Sequence, residues 1–173
     1  RGYVTNEKGN SVSVLETDKM EVIATVKAGQ RPRGIEVSRD GKFVYVAVGD
    51  DDTVQIIDTK SLSIVGELPS GPDPEQFALD PTGKSLYVAN ENDAMVTVID
   101  LEKRASIGEV SVGVEPEGLA VSPDSKVLIC TSETTSMVHF IDTTSRKIVA
   151  NLLVGSRPRF SAFKPDGSEL WVT

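Results

Sequence analysis

Apolar and polar residues alternate in short runs along the whole chain, and the runs return every 42 residues without insertion or deletion. Tyr3, Tyr45, Tyr87, Ile129 and Trp171 form one column; Val12, Val54, Val96 and Val138 form a second, and Gly29, Gly71, Gly113 and Gly155 a third. Within one unit the period-two alternation predicts four short strands. Strand A lies between Arg33 and Ser38, strand B is Phe43 to Val48, strand C is Thr53 to Asp58, and strand D runs about from Ser63 to Leu68. The stretch Ser38-Arg39-Asp40-Gly41-Lys42 supplies a tight turn, with glycine where a positive φ is useful. Four strands and their turns fill the unit and leave no room for a helix.

A repeat of roughly 40 to 45 residues with four strands per unit predicts an all-β fold, a β-propeller of four-stranded antiparallel blades. The competing reading is a sandwich of short strands. Strict repetition disfavours it, because sandwich strands sit in different environments whereas propeller blades share one. Strand A carries small residues (Gly34, Gly118; Ala78, Ala120, Ala162), which suits the crowded inner ring. Strand D alternates with Thr25, Glu67, Glu109 and Asn151, which suits a wet rim. The D-to-A crossings and B-to-C loops then share one face, and the A-to-B turns the other. Residues 1–30 hold strands B-C-D of one blade, 31–72, 73–114 and 115–156 are whole blades, and 157–173 hold strands A-B of the next. The chain opens inside a repeat at Arg1-Gly2-Tyr3 and amounts to about four blades. The expectation is a part of a larger ring whose open edges invite strand pairing or oligomerisation.

Each D-to-A crossing contains a proline, and Pro32, Pro74, Pro116 and Pro158 keep the 42-residue interval. The flanking charges change while the proline does not: Arg31 and Arg33, Asp73 and Glu75, Glu115 and Glu117, Arg157 and Arg159. These eight are candidate ligand- or partner-binding residues at the channel mouth. An arginine pair suits a carboxylate or phosphate in forked geometry, and an acidic pair suits a cation or a basic partner. The plain alternative is that they pair with one another across neighbouring blades. The B-to-C loops add Glu7, Asp50, Asp51, Asp52, Glu91, Asp93 and Glu133 to the same face. Asp50, Asp51 and Asp52, with Asp73 and Glu75, are weak candidates for Ca²⁺, which takes six to eight oxygens. Their spacing matches no EF-hand loop, and a solvated acidic loop is the simpler reading.

Breaks in the repeat mark further candidates. Glu36 stands in a column otherwise made of Ala78, Ala120 and Ala162. A carboxylate there needs a partner; Arg33, Arg159 or a donor from the next blade would serve. Phe160 and Ser161 depart from the usual small-then-aliphatic pair seen in Gly34-Ile35 and Gly118-Leu119, so Phe160 is a candidate apolar floor beneath Arg157 and Arg159. Glu133, in Ser132-Glu133-Thr134-Thr135, is a candidate in the same region. His139 and Cys130 read as structural, and Asp58, Asp100 and Asp142 as turn acceptors. No catalytic set emerges: a single histidine builds no multi-histidine metal site and no Ser-His-Asp order recurs.

Charge and cysteine content narrow the field. A net charge of −8 argues against nucleic acid as a partner. No apolar run approaches the roughly 20 residues of a membrane-spanning helix. One cysteine excludes an internal disulfide and a cysteine-cluster metal site.

Tyr3-Val4-Thr5-Asn6 and Tyr87-Val88-Ala89-Asn90, with Ile-Asp strand ends and Ser-Pro-Asp turns, resemble the YVTN family of β-propeller repeats over the whole chain. The strings Arg31-Pro32-Arg33-Gly34, Gly71-Pro72-Asp73-Pro74-Glu75, Val114-Glu115-Pro116-Glu117-Gly118, Ser132-Glu133-Thr134-Thr135 and Arg157-Pro158-Arg159-Phe160 resemble propellers associated with PQQ-dependent catabolism. Arg39 departs from the usual proline of the turn, and Leu15-Glu16 from the usual Ile-Asp. The resemblance implies a periplasmic or secreted protein, usually seven-bladed, accompanying quinoprotein alcohol oxidation, with no catalytic residues to carry over. The expected function is a non-catalytic binding or scaffold propeller whose mouth engages a small anion or a quinoprotein dehydrogenase. A lactonase-like hydrolase acting at that mouth and a structural surface-protein repeat are the alternatives.

Overall fold

A computed structural model describes residues 1–173. The chain forms five antiparallel sheets in sequence order, and no α-helix. The first has three strands, β1 (Gly2–Asn6), β2 (Ser11–Glu16) and β3 (Glu21–Lys27). Three four-stranded blades follow: β4 (Pro32–Val37), β5 (Phe43–Val48), β6 (Thr53–Asp58) and β7 (Ser63–Pro69); β8 (Pro74–Leu79), β9 (Ser85–Asn90), β10 (Met95–Asp100) and β11 (Ala105–Ser111); β12 (Pro116–Val121), β13 (Val127–Ser132), β14 (Met137–Asp142) and β15 (Lys147–Leu153). The last sheet pairs β16 (Ser161–Phe163) with β17 (Leu170–Val172). Strands follow one another within each blade, so the arc is a run of up-and-down meanders.

The core lies between the blades. Val12, Val14, Val26, Val44, Val46 and Ile57 close the first junction. Tyr45, Ile56, Leu68, Phe77, Leu86 and Ile99 close the second, and Tyr87, Val98, Val110, Leu119, Leu128 and Ile141 the third. Each fully buried Val or Ile contributes about 1.5–3 kcal/mol, so the three seams are the main source of stability. The shared columns of the sequence exist because each seam presents the next blade with the same apolar surface.

Strands β4, β8, β12 and β16 pack side by side and form the inner wall. A Cβ added at Gly34 would come within 2.8 Å of the Glu75 carbonyl oxygen, and one at Gly118 within 2.8 Å of that of Arg159. Glycine therefore sets how closely one inner strand approaches the next. The rim strands β3, β7 and β15 expose most of their residues.

Pairing of each inner strand slips just after its proline, between Pro32 and Ile35, Pro74 and Phe77, and Pro116 and Leu119. Such an irregularity re-aims side chains locally. Immediately before each proline, Arg31, Asp73, Glu115 and Arg157 adopt left-handed φ of 59°, 55°, 56° and 58°. That backbone is uncommon for a non-glycine residue and is held from outside at two crossings. The Asn10 side chain accepts the Arg31 N–H at 3.1 Å, and Asp52 accepts the Asp73 N–H at 2.9 Å. Two short 3-10 turns, Glu7–Gly9 and Gly49–Asp51, occupy B-to-C loops where the sequence pattern left no helical residues. They arise because those loops fold back on the crossings they support.

Candidate binding site at the channel mouth

The four crossings and the B-to-C loops meet at one end of the inner wall. Arg31 donates to Asp73 at 2.7 Å and to Glu75 at 2.6 Å, each on the following blade, and to Asp50 at 3.3 Å. Arg33 pairs with the other oxygen of Glu75 and, at 3.3 Å, with Glu7. At the far end the direction reverses. Arg157 and Arg159 reach back to Glu133 of the preceding blade, and Arg159 lies 3.8 Å from Glu117. The eight crossing charges are thus largely cross-linked between blades, and all four guanidinium groups are engaged. Glu115 lies outside the ion pairs and accepts from the Thr134 hydroxyl.

Between the two arginine groups lies an acidic centre. Oxygens of Asp73, Glu75 and Glu91 come within 4.8 Å of one another, with Asp73 and Glu75 buried. Glu75 is fully buried, and burial pushes its carboxyl up to about 8; Arg33 opposes this, while a hydrogen bond with Glu91 and the charge of Glu117 reinforce it. Glu117 and Asp73 are also raised, chiefly by burial and against the pull of Arg159 and Arg31 respectively. Glu133 is lowered, first by its hydrogen bond with Arg159. Glu75 therefore holds a proton near neutrality.

Asp50, Asp51 and Asp52 do not converge with Asp73 and Glu75 on a common point. Asp50 faces Arg31, Asp51 accepts the Gln30 N–H at 3.0 Å, and Asp52 accepts that of Asp73. Glu91 takes the place the sequence reading gave to that triplet. Its column reads Glu7, Gly49, Glu91, Glu133, and a Cβ at Gly49 would fall 2.8 Å from Asp73. The gap at Gly49 makes room for Arg31 and Asp73, and the three glutamates of the column all face the mouth charges. That column was the available signal. Phe160 is 59% exposed and lines the inner wall beside Arg159, so it forms a floor open to solvent.

The remaining polar groups are structural. His139 lies between Ser132 Oγ, 3.0 Å from Nε2, and Asn151 Oδ1, 2.7 Å from Nδ1. The spacing is that of a nucleophile, base and orienting group, but Ser132 is fully buried and Nε2 also accepts the Gly113 N–H at 3.0 Å. No substrate reaches that serine. Burial pushes the Cys130 thiol far up, which leaves it inert. The Asp58, Asp100 and Asp142 carboxylates accept backbone N–H groups of their turns and are lowered accordingly.

The sequence model of the family described as Lactonase, 7-bladed beta-propeller, matches residues 1–106, well over half of the chain. The chain belongs to this family. Among solved structures it is similar to the Kuenenia stuttgartiensis hydrazine synthase, with a TM-score of 0.92 and 27% identity over 98% of this chain and 51% of that one. The family member described here thus spans about half the length of that structure. No curated protein matches it.

Proposed function

We propose that this arc belongs to a non-catalytic binding propeller, periplasmic or secreted and accessory to PQQ-dependent alcohol oxidation, whose mouth receives a basic group of a quinoprotein dehydrogenase. One observation carries the reading. All four arginines already hold carboxylates, and in the acidic centre between them Glu75 and Glu117 draw on those arginines while Glu91 has no ion pair. A small anion would have to displace a carboxylate from a guanidinium. A lysine or arginine of a partner would instead supply the missing charge, and the acidic face would steer it inward.

Calorimetric titration of the full-length protein with the dehydrogenase tests this. The double change Glu91→Gln and Glu117→Gln is expected to weaken binding about tenfold and to flatten its salt dependence. Absence of binding, or binding indifferent to both changes, would defeat the reading.

Lactone hydrolysis is a second reading, favoured by the family match and by Glu75. A carboxyl titrating at about 8 can donate a proton to a leaving alkoxide at neutral pH, and Arg33 beside it can stabilise an oxyanion. Lactone turnover by the purified protein, lost in Glu75→Gln with the fold intact, would replace the binding reading with this one.

A further inference from the structure

We propose that His139 is a pH-sensitive latch on the third crossing, residues 112–115, and frees that segment of the mouth when its ring takes up a proton. The Gly113 N–H donates to His139 Nε2 at 3.0 Å, from the crossing to strand β14 of the blade it enters. The first crossing makes the same bond at the same place in the repeat, where the Gly29 N–H donates to Gln55 Oε1 at 3.0 Å. Glutamine and histidine thus do one job in two blades, and of the two only histidine gains a proton between about pH 5 and 8. The molecule carries its own pH-indifferent control.

The two crossings differ in what else holds them. In the first, the Gln30 and Arg31 N–H groups are accepted by Asp51 at 3.0 Å and Asn10 at 3.1 Å. In the third, Ala94 stands in the column of Asn10 and Asp52, so the left-handed Glu115 has no side-chain acceptor for its N–H. His139 is the one side chain that bonds the backbone of residues 112–115. Its ring is buried, and because Nε2 accepts, the proton of the neutral ring sits on Nδ1, where Asn151 Oδ1 accepts it at 2.7 Å. A second proton must enter at Nε2. It then meets the Gly113 N–H as donor against donor, and the bond is lost. Ser132 Oγ, 3.0 Å from Nε2, can accept the new N–H, so the charged ring keeps a partner while the crossing loses one.

The surroundings do not compete for that titration. Across β13 the ring is paired with Cys130, whose thiol burial holds protonated, in an apolar seam with Val96 and Val110. Across β15 it faces Asn151. Glu115 on the crossing accepts from Thr134, Glu133 on the loop after β13 is taken up by Arg157 and Arg159, and Asp142 at the end of β14 is held by its own turn. The freed residues carry Glu115 and lead into Glu117, so acid loosens the acidic side of the mouth.

The test is amide hydrogen exchange of the full-length protein, read by nuclear magnetic resonance from about pH 8 to about pH 5 and corrected for the intrinsic pH dependence of exchange. Protection of the Gly113 N–H is expected to fall at least about tenfold over that range, the loss of one buried hydrogen bond, while that of Gly29 stays constant. His139 is the only histidine, so the imidazole nitrogen signals report its titration directly, and the fall at Gly113 should share their midpoint. His139→Gln, the side chain of the first latch, should hold Gly113 protection level throughout. An equal fall at Gly29, no fall at Gly113, a fall out of step with the imidazole signals, or a fall that survives His139→Gln would overturn the proposal. The wild-type comparison of Gly113, Gly29 and the imidazole decides the matter even where the variant fails to fold. No partner is needed, so failure here leaves the binding reading untouched.

Discussion

The two arginine groups of the mouth use the same residue types and finish in different states. Arg31 and Arg33 reach forward to Asp73 and Glu75, with side chains 31% and 26% exposed, and their main acceptor is fully buried. Arg157 and Arg159 reach back to Glu133 and are 68% and 53% exposed. The first junction is flanked by complete inner and outer strands. At the second, the arginines precede a sheet of only two strands. Both acceptors are buried, yet Glu75 is driven up chiefly by burial despite two guanidinium partners, whereas Glu133 is driven down, first by its hydrogen bond with Arg159.

Removing the acceptors should separate the junctions most clearly. Glu75→Ala removes the buried acceptor shared by Arg31 and Arg33, which keep only Asp73, Asp50 and Glu7, and should cost about 3–5 kcal/mol in chemical denaturation. Glu133→Ala, whose partners face water, should cost about 1 kcal/mol or less. Equal losses would mean that burial does not distinguish them. The next largest effect is on pH. The Glu75 carboxyl has a folded value of about 8 against 4.5 for the free group. Its contribution is therefore fully present below about pH 4.5 and is lost as pH rises through 8, by on the order of 2–4 kcal/mol. Glu75→Gln should flatten that decline in thermal melts, while Glu133→Gln should not.

Smaller effects sharpen the same contrast. Gly34→Ala and Gly118→Ala each force a methyl group against the backbone of the neighbouring inner strand and should cost about 1–3 kcal/mol. Gly34→Ala should in addition move the Glu75 titration, because the atom it strikes is the Glu75 carbonyl oxygen. Nuclear magnetic resonance titration of the carboxyl would detect the shift. Last, Arg157→Ala should change stability by no more than about 0.5–1 kcal/mol and should lose even that in high salt.

Strand positions were readable from sequence almost residue by residue. Phe43–Val48 and Thr53–Asp58 emerge where the alternation puts them, because every blade repeats the same seam and a shift of one residue would turn each apolar side chain away from it. The inner strand begins at Pro32, one residue earlier than the alternation implies, since the proline itself pairs with Val48. The candidate site was legible only as a list of charges on one face. Which arginine meets which carboxylate depends on the stagger of adjacent blades and on the slip after each proline, and neither leaves a trace in a 42-residue period. Glu91 reads in the sequence as one more acid of the B-to-C loops, because its importance comes only from Glu75 and Asp73 being brought to it. Glu36 was visible as an oddity in its column, but its donor, the Leu79 N–H, belongs to another blade.

The left-handed residues before the prolines separate two kinds of inheritance in this molecule. Arginine, aspartate and glutamate all occupy that conformation here, so the position tolerates reversal of charge while resisting β-branched side chains. Duplicated units can then diverge in sign at the mouth without relearning how to fold. Exchanging one unit for another would leave the architecture standing and rewrite its electrostatic face, which makes the arc a set of interchangeable letters on a fixed line.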